Sequence, residues 1–182
     1  RDNMLGWDIT DYGMGDFDKY GFSLFTIRNG NIKMKDKYKK PYAEKFLYLK
    51  EGQYALNDFH WNKMEDIINR GGNDIIFTFY NADPETGDFL DTDVMICQDG
   101  RQYTMPAGSK VTLHPGESMT LYPYLYHEFI IPEGGPSLIG EVSATNDDNT
   151  DNRFKNPLGR YPSIEEDEAP YRLLCTEYPA AK

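Results

Sequence analysis

Short apolar or alternating runs recur along this chain, and nearly every one ends at a turn signal. The runs fall at 21–28, 45–49, 53–61, 74–80, 94–97, 102–105, 110–113, 118–122, 127–131 and 137–143. Between them stand Asn29, Gly30 and Asn31; Glu51 and Gly52; Gly71, Gly72 and Asn73; Asp99 and Gly100; Pro115 and Gly116; and Gly134, Gly135 and Pro136. These residues supply the positive or fixed φ that tight reversals need. About ten short strands punctuated in this way fold as a sandwich or barrel. Helix is scarce, because only 164–171 has room for a turn or two, between Pro162 and Pro170. With no repeat at solenoid spacing, the 182 residues suffice for a single domain with a real core. Its expected parts are a lead-in segment at 1–20, a barrel core at 21–145 and a polar, irregular C-terminal arm at 146–182.

Charge excludes one class of partner. The chain carries 19 basic against 30 acidic residues, a net charge of −11, whereas binding a nucleic acid requires clustered Lys and Arg. The excess could favour cation capture, but its commoner meaning is plain solubility. Cys97 and Cys175 show neither metal spacing nor a redox pair, so both are expected as free thiols. Neither a signal peptide nor a spanning segment is visible, which makes a cytoplasmic protein without membrane contact the expectation.

The chemistry concentrates between Gly52 and Gly72. Asp58 and His60 are two apart, Glu65 follows, and a glycine stands at either end. On an extended chain, residues two apart project to one side, so Asp58 and His60 face together while Phe59 and Trp61 face the other way, toward core. Glu65 follows closely enough to meet them from the next part of the hairpin. Two carboxylates and an imidazole suit a divalent metal such as Mn, Fe or Zn. His127, where a strand restarts after Pro123, is placed to complete the set from a facing strand. His114 precedes Pro115 and Gly116 and reads as a turn residue. Asp58 is either a ligand or a solvated edge residue.

The spacing resembles the first cupin motif, with Asp58 in place of the first motif histidine; the second motif is matched only loosely, around Gly116, Pro123 and His127. Residues 5–13 (LGWDITDYG), 24–30 (LFTIRNG), 60–72 (HWNKMEDIINRGG), 140–154 (GEVSATNDDNTDNRF) and 159–170 (GRYPSIEEDEAP) resemble the cupin-type D-lyxose isomerase family more closely. The resemblance implies an all-β jelly-roll, or double-stranded β-helix barrel, in a homodimer. It implies an aldose–ketose isomerase acting on D-lyxose and D-xylulose, with D-mannose and D-fructose as a second pair. It implies Mn²⁺ held by two histidines of an HxH pair, a glutamate and a later histidine, which fall on Asp58, His60, Glu65 and His127. The family also carries a further, partly helical N-terminal segment.

Isomerisation needs a group to move a proton between two carbons and charge to stabilise the enediolate. Glu141 is the candidate base and Lys63 the candidate partner of a sugar oxygen. Asp148, Asp151 and Arg153, with Asp147 beside them, could grip hydroxyls or simply form an Asx-rich turn network. The acidic run 165–168 reads as a solvated face. An aspartate at position 58 adds negative charge, favours a harder ion and weakens polarisation of the carbonyl, so activity is expected to be reduced. Two further readings remain: a sugar-binding cupin without catalysis, and a metal-dependent oxygenase.

Overall fold

In the computed structural model of the chain, residues 1–156, 158 and 164–180 are described. The elements in order are β1 (Gly6–Thr10), α1 (Phe17–Tyr20), β2 (Phe22–Arg28), β3 (Tyr42–Leu49), β4 (Tyr54–Phe59), β5 (Glu65–Gly72), β6 (Ile75–Ala82) and β7 (Phe89–Leu90). They continue as β8 (Val94–Gln98), β9 (Arg101–Met105), β10 (Lys110–Leu113), β11 (Ser118–Leu121), β12 (Leu125–Ile130), β13 (Ser137–Ala144) and β14 (Arg153–Phe154). All pairings are antiparallel. One sheet runs β1-β2-β3-β13-β5-β11-β8-β9 and the other β10-β6-β12-β4-β14, with β7 beside β6. The curled sheets enclose the core, an all-β fold of the cupin type.

Period-2 alternation builds this interior. In β3, Ala43, Lys45, Leu47 and Leu49 are buried while Tyr42, Phe46 and Tyr48 are exposed. Phe77 and Phe79 stack with centroids 5.5 Å apart, and Phe129 lies 5.1 Å from Phe77. Phe77 is fully buried among these rings, so Phe77→Ala is expected to cost about 3–5 kcal/mol. Urea denaturation measures this, and a loss below about 1 kcal/mol would show that the core collapses around the gap.

Three expectations need correction. The stretch 164–171 is irregular, without helix; the sole short helix among the described residues is α1, capped by Asp16, which accepts from the Lys19 amide at 3.1 Å. The lead-in segment contributes β1, paired along its length with β2. Finally, β5, β7 and β14 are strands that the turn-bounded runs did not delimit. The C-terminal arm docks on β1, where the Cys175 amide donates to the Trp7 carbonyl at 2.7 Å. Both cysteines are buried and free, and burial beside Asp8 pushes the Cys175 thiol up to about 12. Among the described residues no helix is long and apolar enough to cross a membrane.

Candidate metal centre and its charged neighbours

Strand register brings the expected ligands together. The two motif glycines flank β4 and β5, which lie in different sheets rather than pairing as a hairpin, with φ of +78° at Gly52 before β4 and +97° at Gly72 at the end of β5. Side chains at those angles are strained, and at Gly72 an added Cβ would run into the Pro136 carbonyl. Asp58 on β4 pairs directly with His127 on β12, His60 follows the end of β4, and Glu65 opens β5. One ligand atom from each of Asp58, His60 and His127 lies within 4.8 Å of the others. Glu65 Oε1 stands 3.4 Å from Nε2 of both His60 and His127, and Asp58 Oδ1 stands 3.8 Å from His127 Nε2. All four residues are buried.

The outward nitrogens fix the imidazoles. His60 Nδ1 lies 2.7 Å from the Asp151 carbonyl and His127 Nδ1 lies 3.1 Å from the Leu125 carbonyl. A carbonyl only accepts, so each Nδ1 carries the proton and each Nε2 faces the centre with its lone pair, the arrangement of a metal-ligating histidine. Burial and the Lys63 ammonium press His60 toward its neutral form, but the Glu65 and Asp58 carboxylates outweigh them and hold its pKa above the ordinary value. Burial would raise the pKa of Glu65, yet Lys63, His60 and His127 hold it well below the carboxylate range.

A second cluster adjoins the first. Lys63 Nζ contacts Glu65 Oε2 at 2.7 Å, Asn146 Oδ1 at 3.1 Å and Glu141 Oε1 at 3.2 Å. Lys45 Nζ reaches the same Glu141 oxygen at 3.0 Å and Asp148 Oδ2 at 3.2 Å. Burial alone would lower the Lys63 pKa, but Glu141, Glu65 and Asp148 hold it raised. Buried here are the carboxylates of Asp58, Glu65, Glu141 and Asp148 against the ammoniums of Lys45 and Lys63. The excess equals the charge of one divalent cation. Asp58 Oδ2 is buried with no hydrogen-bond partner among the described residues, a cost that a cation would relieve. The donor set, the charge and this oxygen all fit a divalent metal.

The remaining expected site residues fall elsewhere. The Asp151 carboxylate accepts from the amides of Trp61, Asn62 and Lys63 at 3.1, 3.0 and 2.8 Å, and from Asn62 Nδ2 at 3.1 Å. It therefore holds the turn that carries His60 and Lys63, rather than facing a sugar. Arg153 pairs with Phe59 on β4 while Phe154 pairs with Asp58; alternation sends Arg153 away from the metal centre, where its guanidinium packs over Gly87. Asp147 pairs with Lys33 at 3.4 Å. His114 is an exposed turn residue, 2.9 Å from Asp74. Residues 165–168 are exposed, and 159–163 of the motif at 159–170 lie outside the described residues. Lys45 is the residue that the sequence reading missed. Its signal was a lysine at an inward position of an alternating strand.

The curled antiparallel sheets and the enclosed His/carboxylate cluster define a cupin-like protein with a candidate metal site. The D-lyxose isomerase family model matches residues 1–178, and the chain belongs to that family, a family of aldose–ketose isomerases. It is 49% identical over 178 residues to a D-lyxose/D-mannose isomerase of Serratia proteamaculans, covering 97% of this chain and 77% of that one. It is 46% identical to one of Escherichia coli O157:H7, covering 97% and 78%. The fold is also similar to that of Cellulomonas parahominis L-ribose isomerase, with TM-score 0.57 and 15% identity over 75% of this chain and 70% of that one.

Proposed function

We propose that this protein interconverts D-lyxose with D-xylulose, and D-mannose with D-fructose, at the cluster around Glu65. The observation that carries the reading is the convergence of both imidazole Nε2 atoms on Glu65 Oε1, beside a buried base with two ammoniums. Asp58, His60, Glu65 and His127 would hold one divalent cation, Mn²⁺ by the balance of two oxygen and two nitrogen donors. When bound there, a cation would supply Lewis acidity toward the sugar and stabilise enediolate charge.

The chain's own residues do the rest. Glu141 takes the proton from C2 of the aldose and returns it to C1, while the hydroxyl proton moves from O2 to O1. Both ammoniums contact Glu141 Oε1, which leaves Oε2 to carry the proton. Lys63 offers an N–H to a sugar oxygen as charge develops there, and Lys45 holds Glu141 and Asp148 in register. Asp148 faces the sugar hydroxyls. The cavity at the cluster measures about 40 Å³, room for a cation and water. Tyr12 and Phe154, with centroids 5.6 Å apart, line it.

The test is to strip the protein, reload it with Mn²⁺, incubate it with D-lyxose, D-mannose and L-ribose, and measure ketose. Turnover of D-lyxose supports the reading; binding without ketose formation would instead favour a non-catalytic sugar-binding protein. Asp58 adds a chain-specific expectation. D58H should bind Mn²⁺ with altered affinity and turn over faster, because a neutral donor leaves the cation more Lewis acidic. Equal turnover in the two proteins would defeat that idea.

A second copy is the partner proposed for the outward face of β1, β2, β3 and β13. Trp7, Phe46, Tyr48 and Leu138 there are 38–48% exposed, and Trp7 packs on Phe25, the cross-strand partner of Phe46. Sedimentation equilibrium should read twice the 21.0 kDa chain mass; a monomer at micromolar concentration would contradict the homodimer.

A further inference from the structure

A second cavity, of about 670 Å³, lies beside the turn that carries His60 and Lys63, a size suited to a small ligand. One wall is the loop between β2 and β3, and the opposite wall includes Asn62, Lys63, Thr150 and Asp151. The loop reverses the charge of the chain. Residues 33–40 hold five lysines and one aspartate in a protein of net charge −11.

Two of these lysines are occupied: Lys33 pairs with Asp147 at 3.4 Å and Lys37 with Asp2 at 3.3 Å. The other three, Lys35, Lys39 and Lys40, are the ones that line the cavity. No salt bridge links them to a carboxylate among the described residues; Lys40 Nζ lies over the Tyr42 ring, 4.9 Å from its centroid. The loop is held in place: Thr145 Oγ1 donates to the Lys40 carbonyl at 2.9 Å, and the Lys33 and Met34 amides donate to Asn31 Oδ1 at 3.0 Å. With acids so abundant, three cations left without a carboxylate around one concavity mark a place for an external anion.

We infer that this cavity binds a small oxyanion, inorganic phosphate or the phosphate of a phosphorylated metabolite, through Lys35, Lys39 and Lys40. Thr150 and Asn62 stand on the facing wall, where hydroxyl and amide groups can complete the hydrogen bonding. The site adjoins the metal centre through Lys63, which lines both cavities, and through Asp151. Asp151 lines the cavity, and it also holds the 61–63 amides by its carboxylate and His60 Nδ1 by its carbonyl.

The inference stands apart from the isomerase reading, since it concerns binding alone. Isothermal titration of metal-stripped protein with inorganic phosphate should show saturable, salt-sensitive binding, weakened roughly tenfold or more in the K35Q/K39Q/K40Q variant. These side chains are at the surface, and an unchanged melting temperature verifies that the variant folds. A parallel titration with glycerol 3-phosphate separates the sources: tighter binding than phosphate assigns the site to phosphate esters, and weaker binding to the free ion. Absence of saturable binding at tens of millimolar phosphate, or equal affinity in the triple variant, would overturn the proposal. Metal-free protein keeps phosphate coordination at the cation out of the result.

Discussion

Glu65→Gln is expected to weaken cation binding by at least about 100-fold and to bring isomerase activity to background. Groups that merely orient a ligand cost about 10–100-fold when removed, and Glu65 occupies the centre itself. Its Oε1 is the one oxygen shared between His60 and His127, each at 3.4 Å, and its Oε2 anchors Lys63 at 2.7 Å. The amide keeps the shape but removes a charge, and with its oxygen turned to the Lys63 ammonium its NH₂, which has no lone pair to offer a cation, faces the centre. Folding should survive, because the replacement is isosteric and Glu65 lies at the start of β5 rather than among the stacked phenylalanines. Equilibrium dialysis against Mn²⁺ reads the affinity and a thermal melt verifies the fold. Wild-type affinity in E65Q would remove Glu65 from the ligand set.

Glu141→Gln is expected to separate chemistry from metal binding. Loss of a general base costs about 10²–10⁴ in rate, so kcat should fall by that much while cation content stays near that of the wild type. The structural reason for the separation is that Glu141 faces Lys45 and Lys63 rather than the two imidazoles. A purely structural role predicts a different pattern. Two ammoniums buried beside a neutral amide would be undercompensated, and E141Q would then melt early without a specific rate defect. Exchange of the substrate C2 hydrogen with solvent distinguishes these outcomes, because it should vanish in E141Q if this group moves the proton. A variant within tenfold of wild-type kcat would remove Glu141 from the reaction.

Much of this was legible in the chain because alternation and turn chemistry are local. The strands at 110–113 and 137–144 lie where the runs and glycines place them, and the Gly52–Gly72 spacing indicated which side chains would meet. β5 was harder to recognise, since Asp66, Asn69 and Arg70 interrupt its apolar pattern and its partners β11 and β13 are distant in sequence. Arg153 and Asp151 illustrate another limit. Both stand in a polar run that reads as a sugar grip, but β14 pairing turns Arg153 to the far face and the 61–63 amides take the Asp151 carboxylate. Those partners are about 90 residues away, beyond any local pattern. Lys45 was missed for the opposite reason: a lone lysine in a strand is read by default as solvated, and only burial at 1% exposure with its two carboxylate partners reveals its place.

Anomalous diffraction at the manganese edge, from crystals of protein shown to turn over D-lyxose, tests the central claim most directly. One strong peak is predicted, within bonding distance of Asp58, His60, Glu65 and His127. Active protein with no peak among those four side chains, or with its manganese elsewhere, would contradict the account.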